Sequence, residues 1–205
     1  MSRFVEEAIA KAGLLPVLAA RRSGDLDTVR STLTSWGAAD LLVLGAVADA
    51  VRTEDVGDVV RIYPVGLPES DVTWVDASAQ ASELELLRAV AVARIAGAGA
   101  GGKAPRIGVD WSKCGMELAQ VALGFGASEL RGPITRKSGL PIYADEKTKV
   151  KGQGMVELSS IKRQEIAALV RHAGRLPMFV DEETQETAHG ETPRTRESSQ
   201  EVAGV

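Results

Sequence analysis

Asp110, Trp111, Lys113 and Cys114 crowd one short run of the chain, and Glu129 and Arg131 lie further along the same stretch, IGVDWSKCGMELAQVALGFGASELRG, residues 107–132. A carboxylate, an ammonium group and a thiol this close supply three chemical tools: a base, a partner for an anion, and a nucleophile. Each also has an ordinary structural use. Aspartate caps helices, tryptophan fills cores, and a lone cysteine packs as a small hydrophobe. A nucleophilic Cys114 needs a base beside it, and the two histidines stand in other contexts, His172 near a helix end and His189 far along the C-terminal segment. Favourable interaction with the last helical carbonyls accounts for His172. The stretch therefore offers Asp110, Trp111, Lys113, Glu129 and Arg131 as ligand-binding candidates and assigns no catalytic residue.

The elements that must hold these residues can be read from apolar spacing. Arg106 to Trp111 reads as a strand, Gly115 to Phe125 as a helix buried through Leu118, Val121, Ala122 and Phe125, and Glu129 to Gly132 as the start of another strand. That is a βαβ unit with a right-handed crossover. It puts the candidates just past the carboxyl end of a strand, where α/β folds gather their ligand groups.

Upstream, residues 4–12 and 26–36 carry helical spacing, with Asp25 placed to cap the second, and 14–19 is a short apolar run after a glycine. Asp40 is the N-cap expected for a helix over 41–52. Val59, Val60, Ile62, Tyr63 and Val65 favour an extended backbone that Pro64 brings to an edge or an end, and 72–75 is a second strand. A helix opening at Ser78 or Ser82 runs through Ile95. The AGAGAGGKAP after it, residues 96–105, is a connector rather than a phosphate loop, because its glycines come after a helix and before a strand.

Downstream, 133–154 reads as a long loop with a short hairpin around 140–152, Ser159 or Ser160 caps a helix to Ala173, and 176–180 is a last strand. Arg131, Arg136, Lys137, Lys147, Lys149 and Lys151 make this region basic, suited to an anionic ligand or an acidic partner, or simply solvated. Residues 10–18 (AKAGLLPVL) echo 171–179 (RHAGRLPMF), which shared turn chemistry explains as well as duplication does. The resulting division is a helical N-terminal region over 1–56, an α/β domain over 57–181 and a disordered tail over 182–205.

Composition narrows the function classes. A net charge of -4 and a pI near 5.4, with Lys and Arg scattered among acids, argue against nucleic acid as a partner. One cysteine rules out an intrachain disulfide, a Cys-rich zinc site and an intrachain three-cysteine cluster. The apolar runs at 41–48 and 86–100 are interrupted or end in glycines, so neither is expected to span a membrane, and the carboxylates near the N-terminus are unlike a signal peptide. The expectation is a cytoplasmic protein without metal or cofactor. No Walker loop, HExxH, GxSxG or EF-hand motif assigns a mechanism.

LLRAVAVARI, VDWSKCGMELAQVALGFGASEL and EIAALVRHAGRLP together resemble the C-terminal region of the radical-SAM enzymes of the futalosine route to menaquinone, aminofutalosine synthase and dehypoxanthine futalosine cyclase, and their deazaflavin-cofactor relatives. DLLVLGAVADAVRTEDVGDVV, residues 40–60, is similar to the helix that precedes the catalytic barrel in those enzymes. The resemblance implies a (βα) barrel-like unit, here partial, because the interval from Val60 to Leu87 is too short for the family's intervening strands and its CxxxCxxC loop. Three thiolates hold a [4Fe-4S] cluster and leave one iron for SAM, and Cys114 alone cannot do this. Arg131 and Arg136 also stand in a region that is acidic and glycine-rich in the family. The resemblance and its gaps together imply a catalytically degenerate binding, accessory or regulatory protein. Its expected partner is a second copy or a full-length radical-SAM relative, and a non-radical enzyme acting on a nucleoside-like or anionic small molecule is the alternative.

Overall fold

The structure is a computed structural model that describes residues 3–66, 71–135, 148–149, 155–156 and 161–180. Its N-terminal region is helical: α1 (Arg3–Lys11), α2 (Leu15–Arg22), α3 (Leu26–Ser31), α4 (Leu33–Trp36) and α5 (Leu41–Val56). Asp25 and Asp40 cap α3 and α5 as expected, Asp40 accepting from the backbone N–H groups of Leu42 and Val43 at 3.0 and 3.1 Å. Each such cap contributes about 1 kcal/mol. The apolar run at 14–19 is part of α2, with Pro16 in its first turn, where a missing N–H costs nothing. The echo with 171–179 therefore fails in structure, since the second copy ends in a strand.

The strands are β1 (Val59–Pro64), β2 (Val72–Val75), β3 (Arg106–Asp110), β4 (Glu129–Gly132), the two-residue β5 (Ile134–Thr135), β6 (Thr148–Lys149), β7 (Met155–Val156) and β8 (Ile161–Lys162), and β9 (Leu176–Phe179). Between them lie α6 (Glu83–Ala96), α7 (Trp111–Cys114), α8 (Met116–Ala122) and α9 (Arg163–His172). Five strands form one parallel sheet in the order β2-β3-β4-β1-β9, β5 pairs in parallel with β8, and β6 is antiparallel to β7. This is a mixed α/β fold. The hairpin expected around 140–152 lies almost wholly outside the described residues, as do Ser159, Ser160 and the tail from residue 181. The last helix begins at Arg163, where Glu165 reaches back to the Lys162 N–H. The helix expected over 115–125 begins as expected, with Gly115 at φ 83° as the N-cap of α8 and the boundary with α7, but residues 123–125 tighten into a 3-10 turn.

One face of the sheet is oily and the other is not. Val60, Ile62, Ile107, Val109 and Leu130 join a single core with Leu44, Val47 and Val51 of α5, Leu87, Val90 and Ile95 of α6, Ala119 of α8, and Ile166 and Val170 of α9. Strand alternation turns Arg61, Tyr63, Trp74, Arg106, Asp110, Glu129 and Arg131 to the opposite face. Parallel sheets normally bury both faces under helices, so a charged second face is unusual.

The two sheet edges differ. The Leu176 N–H bonds Asp58 and the Val180 N–H bonds Ile62, so residue 177 of β9 is directed outward, and it is Pro177, without an N–H to offer. The outer edge of β2 carries no such block.

Arg94 of α6 is wholly buried beneath the sheet. It donates to the carbonyls of Gly126 (2.8 Å) and Pro105 and to the Ser128 hydroxyl (2.8 Å), with Asp55 of α5 at 3.6 Å. Burial lowers its pKa to about 10, against the pull of Asp55 and Glu129, which leaves it charged at neutral pH. We predict that Arg94→Met lowers unfolding free energy by about 3–5 kcal/mol. Arg94→Lys should recover only part of this, since one ammonium cannot span three acceptors. Urea titration reads both, and a loss below about 1 kcal/mol would reject this role for Arg94.

Candidate functional site

The exposed-side residues fall into rows across the strands. Trp74, Gly108, Glu129, Arg61 and Met178 share one level, and Asp110, Arg131 and Tyr63 share the level nearer the carboxyl ends. Glu129, fully buried, anchors the first row. Its carboxylate accepts from Arg106 (3.0 and 3.2 Å), Arg61 (3.4 Å), the Tyr63 hydroxyl (3.1 Å) and the Ser128 hydroxyl (3.3 Å). Arg106 also bonds Tyr63 and reaches Asp71 at 2.6 Å. Desolvation raises the Glu129 pKa above the usual carboxylate value, with Arg106 and Arg61 opposing it.

In the second row Asp110 receives Arg131 at 3.1 Å while capping α7 through the N–H and hydroxyl of Ser112, at 3.0 and 2.6 Å. The Arg131 guanidinium lies over the Trp74 ring at 4.3 Å, and Trp74 meets Tyr63 edge-on with centroids 6.0 Å apart. A cation over an aromatic face contributes about 0.5–2 kcal/mol and holds the planar group in a fixed orientation. Lys113 turns to Asp76 at 3.5 Å, with both side chains about half exposed, a pair that adds little stability.

Two indoles stand out for what they lack. The Nε1 groups of Trp74 and Trp111 are buried without a hydrogen-bond partner among the described residues, a deficit of about 1–3 kcal/mol each. Trp111 is only 2% exposed and packs against Gly132, where any side chain would overlap its ring.

All five sequence candidates are thus placed. Asp110 and Arg131 form a direct pair, Glu129 lies one level below them in the sheet, Lys113 belongs to the rim with Asp76, and Trp111 turns into the core on the helix side. Asp110 does serve as a cap and Trp111 as a core aromatic, and Asp110 is still part of the charged row. Cys114 is half-buried and donates to the Asp110 carbonyl at 3.3 Å, and burial together with the Asp110 carboxylate pushes its thiol up to about 11. Sequence reading missed Tyr63, Trp74 and Arg106. One signal was available: VDAS (75–78) and VDWS (109–112) repeat at the ends of adjacent, registered strands, each Asp accepting from a Ser two residues on.

Among the described residues, no cluster of His, Cys, Asp and Glu could hold a metal ion, and no helix is long and apolar enough to cross a membrane. No protein-family model and no curated protein matches the chain.

Two outcomes are expected from this geometry. Because the Glu129 pKa is raised in the fold, its contribution to stability is present below the unfolded value and is lost as pH rises through the folded one. The stability of the native protein relative to Glu129→Gln should therefore grow as pH falls from neutral toward 4.5, and a pH-independent gap in matched urea titrations would refute it. For Cys114, iodoacetamide alkylation at pH 8 should run on the order of 100-fold slower than for a free cysteine. A rate equal to the free thiol would show that its burial does not hold in solution.

Proposed function

We propose that this protein is a catalytically degenerate relative of the futalosine-route radical-SAM enzymes, built as part of a (βα) barrel and working as a binding, accessory or regulatory protein. The observation that carries the reading is the one-sided sheet. Parallel strands with helices on one face and layered polar side chains on the other share the two-sided character of a barrel wall, and β2, β3 and β4 are neighbours in chain order as barrel strands are, while β1 stands between β4 and β9. The sequence likeness at residues 40–60, 107–132 and 157–180 supports the same ancestry. A single cysteine cannot hold a three-thiolate cluster, so the chemistry of those enzymes does not come with the architecture.

Among the described residues no strand pairs with the outer edge of β2, and this gives the reading a physical motive, because unpaired strand groups seek a partner. The partner is a second copy or a full-length relative. Light scattering on the purified chain, alone and mixed with a futalosine-route radical-SAM enzyme, should give a dimer or a mixed complex. A monodisperse monomer in both samples would sink the accessory reading, and stoichiometric iron and sulfide after anaerobic reconstitution would overturn the degenerate one.

A second reading, an enzyme or receptor for a nucleoside-like or anionic small molecule, is favoured by the Asp110–Arg131 pair at the carboxyl end of the sheet. It requires thermal stabilisation by such compounds, about 2.7 kcal/mol at a hundredfold excess over the dissociation constant. A screen of nucleosides and phosphates with no shift counts against it.

A further inference from the structure

We draw no further inference here: the strongest candidate, the open groove between α4 and α6 lined by Leu33, Gly37, Ala38, Arg88 and Val92, has its guanidinium already donating to the Gly37 and Ala39 carbonyls, and nothing in the structure shows what covers it.

Discussion

A single buried guanidinium sets the relation of the helical layer to the sheet. Arg94 rises from α6 and binds backbone or side-chain oxygens just before β3, in the turn before β4 and at the head of β4, with Asp55 of α5 completing the set. No apolar side chain could do this, since those carbonyls would then be left without donors away from water. The arrangement has a cost in desolvation, visible in the lowered Arg94 pKa and in the raised one of Asp55, which is dominated by burial and opposed by Arg21 and Arg94. What it gains is registration. The start of β4 is held in place, and with it the level at which Glu129 and Arg131 meet the neighbouring strands.

On the charged face the same logic works laterally. Glu129 collects two arginines and a tyrosine from β1 and β3, so three strands are cross-linked by polar contacts where a second helical layer would ordinarily supply apolar ones. The Trp74–Arg131 stack extends the pattern to β2. Glu129 and Tyr63 are buried on this face, so each of these polar contacts is made away from water, where a lost partner would be costly.

Much of the fold was legible because local rules agreed with the final packing. The caps at Asp25, Asp40, Ser82 and Asp110, the strands at 59–64, 72–75 and 106–110, and the connector at 96–105 all stem from short-range chemistry. The misses lie at helix ends. A helix carried on to Phe125 overlooks the tightening to a 3-10 turn at 123–125, and a start capped by Ser159 or Ser160 gives way to one at Lys162, whose N–H donates to the Glu165 side chain. Of the site, Asp110 and Arg131 were found because they lie close in sequence. Tyr63, Trp74 and Arg106 reach them through the order β2-β3-β4-β1, and strand order cannot be read from any window of residues. Trp111 shows the limit of reading chemistry from residue type: its neighbours face the charged row, but one turn of helix carries it to the opposite side of the sheet.

Pro177 has a consequence for how such a sheet can grow. It removes one of the two outward donors of β9, leaving Phe179 as the other, whereas every residue of β2 carries an N–H. In a parallel sheet, borders that differ in their donors offer different matches to an added strand, and a sheet that pairs more readily at one border than at the other is biased toward a finite pair and away from an open-ended fibre.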